Sequence, residues 1–157
     1  MAGLALVLWS GAERPDALVS QTGGLIGVLT PEGRALSKVT GDGFSADSWL
    51  ENDGDPVEQA EAASRAVFDV DGRMRRFKVG DIQVLHATGK IASSQALAAC
   101  NDFDLVVVNV AMDRPEACTV YDLDQLRQGG ALALMALPDG LKITSVRDVT
   151  GHRLWSP

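Results

Sequence analysis

The chain has 157 residues, 46% hydrophobic and 22% charged, which is enough apolar material for one domain with a real core and excludes a disordered chain. Its net charge is −7 and its pI is near 4.7, so the surface as a whole repels nucleic acid and anionic lipid. Any DNA contact must use a local basic patch.

Residues 2–9 are apolar but far fewer than the ~20 needed to cross a bilayer, and they lack the basic start and cleavage site of a signal peptide. Two readings stand: a first strand, or the stub of a membrane segment where a soluble piece was cut from a longer protein. Residues 16–19 and 25–29 are short apolar strands around the turn Gln21-Thr22-Gly23-Gly24. Thr30-Pro31-Glu32-Gly33 turns again into a strand over residues 34–39, completing a small antiparallel meander that Gly41-Asp42-Gly43 breaks. Ser45 or Asp47 can cap a short helix carrying Trp49 and Leu50. A second, surface helix follows through residue 63, with Asp55 as N-cap, Pro56 at its first position and Glu58 in its first turn.

Residues 67–70 and 74–79 read as a hairpin across Asp71-Gly72, and residues 82–87 as a further strand after Gly80-Asp81. Thr88-Gly89-Lys90 leads into an alanine-rich helix over residues 92–100. Leu105-Val106-Val107-Val108, after Asp104 and before Asn109, is the pattern of a strand buried on both faces. A loop over residues 111–117, a strand over 118–121, a helical turn over 123–128 closed by Gly129-Gly130, and a hairpin of residues 131–136 and 141–146 complete the chain. The fold class is α/β, with a mixed sheet or two packed sheets and flanking helices.

In open α/β sheets ligands bind beyond the carboxyl ends of central strands, which makes Asn109 and Asp113 the first positions to test. Hydrolytic zinc sites usually pair histidines, whereas His86 and His152 stand alone; His86 reads as a core or edge residue and His152 as solvated. Glu51, Asp53 and Asp55 resemble part of a calcium loop without its complete order, and helix termination and capping explain them better. Gly89-Lys90 lacks the earlier glycine of a phosphate loop, since Val84 stands there and Ile91 follows the lysine; Lys90 with the amides at the helix start remains a candidate for a lone phosphate. No serine or cysteine has a nucleophile motif. Cys100 and Cys118 read as buried small side chains rather than a bridge or metal pair. Arg73, Arg75, Arg76 and Lys78 crowd one strand, a strip that could track a phosphate backbone or simply protect a solvated sheet edge.

Several stretches in order resemble the C-terminal soluble region of the ComEC family of DNA-uptake competence proteins in its alphaproteobacterial form: Arg14-Pro15-Asp16, Gly33-Arg34-Ala35-Leu36, Trp49-Leu50-Glu51-Asn52-Asp53-Gly54-Asp55, Thr88-Gly89-Lys90, Cys118 with Asp122, Leu126-Arg127, Gly130-Ala131-Leu132-Ala133-Leu134, and the ending Arg147-Asp148, Gly151, Trp155-Ser156-Pro157. The resemblance spans nearly the whole chain. It implies a degenerate or partial metallo-β-lactamase-like sandwich, attached to the inner-membrane channel that admits single-stranded DNA in natural transformation. The His-x-His-x-Asp-His motif of active members is missing, so no metal-ligand role carries over.

The expected function is therefore a non-catalytic accessory domain without metal or cofactor, on either side of the inner membrane. Its partners would be the channel portion of the same longer protein, single-stranded DNA and other competence proteins. Arg73, Arg75, Arg76, Lys78 and Lys90 are the DNA-contact candidates, and Asn109, Asp113, Asp53, Asp55 and His86 the cleft candidates. The rival is a divergent metal-dependent phosphodiesterase using Asp53, Asp55, Asp113 and His86. A third reading is a purely structural cap on the channel.

Overall fold

The computed structural model describes residues 13–151. The expectations for residues 2–9, His152 and Trp155 lie outside the described residues. Within them the order is β1 (Ala17–Val19), β2 (Ile26–Thr30), β3 (Gly33–Leu36), α1 (Gly43–Asp53), α2 (Gln59–Ala62), β4 (Asp69–Asp71), β5 (Met74–Val79), β6 (Ile82–Ala87), α3 (Lys90–Ala98), β7 (Leu105–Val108), β8 (Val120–Tyr121), α4 (Leu123–Gly129), β9 (Leu132–Leu137), β10 (Gly140–Ser145) and α5 (Val146–Thr150). A 3₁₀ turn, Cys100–Asp102, follows α3.

The strands form two five-stranded sheets. In the first, ordered β10-β9-β1-β2-β3, every pair is antiparallel. In the second, ordered β4-β5-β6-β7-β8, the β4-β5-β6 part is antiparallel and β6, β7 and β8 run parallel. Period-two alternation sends Ala17, Val19, Ile26, Val28, Leu132 and Leu134 of the first sheet into the same buried cluster as Phe77, Val79, Val84, Leu105 and Val107 of the second. The sheets thus pack through a common core. Leu85, Ala87, Val106 and Val108 point the other way, onto Ala92, Ala96 and Cys100, so α3 covers the outer side of the second sheet. Leu25 and Leu36 do the same on the first sheet, under Ala46, Leu50 and Ala62 of α1 and α2.

β7 is buried at all four positions, because both faces of its sheet are covered there. The meander of the first three strands forms, but its sheet is completed by β9 and β10 from the far end of the chain. Four local expectations are corrected. The first helix begins at Gly43, so Ser45 and Asp47 lie inside it; its N-cap residue is Asp42, at a left-handed φ of 52°, whose side chain makes no cap hydrogen bond. The second begins at Gln59 rather than Pro56, because the Asp55 carboxylate is taken by Arg65. Its surface character is also incomplete, since Ala62 is fully buried. The strand expected over residues 67–70 sits two residues later, where Asp69 and Val70 pair with Arg76 and Arg75, while Phe68 plugs the core edge-on to Phe77 at 5.5 Å.

The fourth correction concerns the cysteines. Cys100 and Cys118 both contact the apolar cluster under α3, and they are joined as a disulfide with a Cα–Cα distance of 5.9 Å, within the span such a bridge accepts.

Candidate functional site

Parallel pairing of β6, β7 and β8 brings their carboxyl ends to one edge of the molecule. Thr88-Gly89-Lys90, Asn109 and Asp122 follow those three strands and meet there. The Asn109 side-chain oxygen accepts a hydrogen bond from the Gly89 backbone N–H at 2.7 Å, tying the end of β7 to the start of α3. Gly89 has φ 84°, and a Cβ there would come within 2.9 Å of the Arg73 guanidinium. The Thr88 N–H donates to the Arg73 carbonyl at 3.1 Å, which fixes Arg73 beside this turn. Arg73 therefore lies against the turn that leads into Lys90; both cations are exposed, and neither pairs with another side chain among the described residues.

Beyond Asn109 lies a cleft of about 610 Å³ lined by Lys90, Val110, Ala111, Met112, Asp113 and Asp124. The loop forming one wall is held by Asp122, which caps α4 through the Gln125 N–H at 3.0 Å, accepts from the Met112 N–H at 3.3 Å and faces Arg114 at 3.6 Å. Lys90 and Asp113, two of the residues singled out from the sequence, thus share a cleft, while Asn109 stands outside its lining and ties β7 to the turn before Lys90.

His86 sits behind this edge and is fully enclosed between the sheets. Its Nε2 lies 2.8 Å from the Gly23 carbonyl, which can only accept, so Nε2 carries the proton and Nδ1 is left buried with no partner. Burial pushes the imidazole pKa down to about 4; the Gly23 hydrogen bond opposes this, and the nearby Arg75 and Lys38 charges add to it. His86 is a neutral core residue. The opposing turn from the first sheet is pinned by Asp42, whose carboxylate accepts from Thr22 and from Lys38 at 2.5 Å. Burial raises the Asp42 pKa, but these two hydrogen bonds together with the Lys38 charge outweigh it and hold the carboxyl below its usual range.

The basic strip divides. The Arg75 guanidinium is spent on the carbonyls of Gly72, Met74 and Ser37. Arg76 is matched by Asp69 at 3.2 Å and Asp71 at 3.4 Å. Lys78 lies at the opposite end of β5, opposite Gln83. Only Arg73 joins Lys90.

Asp53 and Asp55 lie elsewhere. Asp53 receives Arg34 Nε at 2.5 Å and Nη2 at 3.2 Å, and Arg34 is 1% exposed. This pair sits in a second concavity of about 540 Å³, over the outer side of the first sheet between α1 and α5, with Leu18, Trp49, Val146 and Val149 among its lining. Asp55 is held by Arg65 at 2.5 Å. The four residues required for a metal-dependent phosphodiesterase are therefore not gathered, and among the described residues no three His, Cys, Asp or Glu side chains are placed to hold a metal ion.

Arg34 does not stand out in the sequence, because its partner Asp53 lies 19 residues further on at the end of a helix. Among the described residues no helix is long and apolar enough to cross a membrane. Comparison of the chain with protein-family models, with curated proteins and with solved structures gave no match.

Proposed function

We propose that this chain is a non-catalytic accessory domain that contacts single-stranded DNA at the carboxyl-end edge of its second sheet, in the manner of an appendage to a ComEC-like uptake channel. One observation carries the reading: in a chain of net charge −7, Arg73 lies against Gly89, the residue before Lys90, and among the described residues neither cation has a counter-charge bound to it. Unspent cations of this kind recognise phosphate oxygens. Asp113 and Asp124 make the cleft interior hostile to an anion, so the backbone runs along the Arg73–Lys90 rim and not into the cleft. The channel attachment rests on the sequence resemblance. The Cys100–Cys118 bridge favours the oxidising, periplasmic side of the membrane, because cytosolic thiols are kept reduced.

The test is oligonucleotide affinity across a salt series for Arg73→Glu, Lys90→Glu and Lys78→Glu. Each of the first two removes one phosphate contact and flattens the slope of log K against log salt by about 0.7. Lys78→Glu, at the far end of the strand, leaves the slope unchanged. Salt-insensitive binding, or equal losses at all three positions, removes the proposed contact; absence of binding favours a structural cap.

A further inference from the structure

Resting on that phosphate contact, we propose that the Cys100–Cys118 disulfide is a redox clamp on it: the oxidised domain binds the DNA backbone, and the reduced domain loses the Lys90 contact. The bridge joins the turn after α3 to the residue two places before β8, a sequence separation of 18 that encloses all of β7 and the loop carrying Asp113. Between β7 and β8 no regular structure supports residues 109–119. The loop hangs on the Asp122 contacts to Met112 and Arg114, the Leu123 N–H to the Val110 carbonyl at 3.4 Å, the Val106 N–H to the Thr119 carbonyl at 2.9 Å, and the bridge. β8 has only two residues, so it anchors the loop weakly by itself.

In the bridged chain Asp113 lines the cleft with Lys90, yet the two are not paired. A small dithiol can reach Cys118, which is part-exposed between exposed Ala117 and Thr119. Its attack breaks the S–S bond; two electrons and two protons convert Cys100 and Cys118 to thiols, and the dithiol is oxidised to its own disulfide. Without the bridge the loop pivots on its Asp122 contacts at Met112 and Arg114 and turns Asp113, which lies between them, onto the Lys90 ammonium, an ion pair at short range that removes the cation from the DNA rim. Arg73, held by the β4–β5 turn and Gly89, remains.

The experiment compares oligonucleotide binding by the full chain in oxidised form, after treatment with dithiothreitol, and as Cys118→Ser, each with and without Asp113→Asn. The expected result is a salt slope flatter by about 0.7 on reduction and in Cys118→Ser, restored to the oxidised value by Asp113→Asn. That restoration separates the clamp from simple unfolding, which a distant amide cannot repair. Equal binding by oxidised and reduced chain, or a loss that Asp113→Asn does not restore, overturns the clamp and leaves the phosphate contact standing. No binding by the oxidised chain overturns the contact and the clamp with it.

Discussion

Asp53→Ala tests whether this carboxylate belongs to the fold or to chemistry. Arg34 is 1% exposed, and its two strongest bonds are to Asp53, at 2.5 and 3.2 Å. Its remaining acceptors, the carbonyls of Gly27 and Pro15, lie at 3.3 and 3.4 Å and carry no charge. Removing Asp53 leaves a buried guanidinium without its counter-ion, a change that costs about 3–5 kcal/mol. At ~2–4 °C per kcal/mol for a chain of this size, the melting temperature falls by roughly 6–20 °C. Arg14, 3.9 Å from Asp53 with its side chain 53% exposed, contributes little to that figure. Replacing both partners, as Arg34→Met with Asp53→Leu, recovers most of the loss, because neither charge is then stranded. Melts followed by circular dichroism, with urea midpoints beside them, measure all three variants. A single variant melting within about 2 °C of the parent refutes the reasoning. So does a double variant no better than the single, or a melting temperature that rises with manganese only while Asp53 is present.

Three further outcomes follow from the edge of the second sheet. His86 is neutral in the folded chain down to about pH 4 but takes a proton near 6.5 when unfolded. Its folded pKa is depressed, so protons favour the unfolded state; stability is full above pH 6.5 and falls as the pH drops from 6.5 to 4, by about 3 kcal/mol. His86→Gln, which keeps a donor for the Gly23 carbonyl, flattens that part of a urea-midpoint profile, and an unchanged profile places the dependence on other groups. Asn109→Ala strands the Gly89 N–H and lowers stability by about 1–2 kcal/mol in urea melts, whereas Asn109→Asp keeps an acceptor there and retains most of it. Gly23→Ala, at φ 65° and with its new Cβ 2.9 Å from the Val108 carbonyl oxygen, melts earlier than the parent by several degrees; equal melting temperatures refute the close approach of the two sheets at that turn.

The parts of the fold legible in the sequence are those set by neighbours along the chain. β6 occupies residues 82–87 as its alternation implies, and β7 its apolar run, because a strand covered on both faces admits few other residue types. Gly130 closes α4, as the Gly129-Gly130 pair implies, a local rule. What was illegible depends on partners far away. Asp55 looks like a helix cap until Arg65 claims it, and a strip of four cations looks continuous until Asp69 and Asp71 arrive beside Arg76. A sequence separation of 18 between two cysteines says nothing about a 5.9 Å approach, which the pairing of β7 with β8 creates. For the candidate site, Asn109 and Asp113 could be found from the end of a buried strand, and Lys90 from its place at the start of a helix. The junction of Arg73 with Lys90 needed the antiparallel register of β5 and β6, which places residue 73 opposite the Thr88 turn.

The place of β1 in its sheet has a consequence in time. β1 lies between β2, its near neighbour in sequence, and β9, and the Asp16 side chain accepts from the Ala136 N–H across 120 residues. At ~5–20 residues per second, a ribosome needs roughly 6–24 s to make that intervening chain. Throughout that interval the hairpin of β1 and β2 has one satisfied edge and one open edge rich in Ala17, Leu18 and Val19. Such an edge templates pairing with other chains. The second sheet, whose strands are all complete before residue 122, can form while the first waits. The C-terminal hairpin of β9 and β10 then acts as a closing seal, and chains that end before it would be the ones that aggregate.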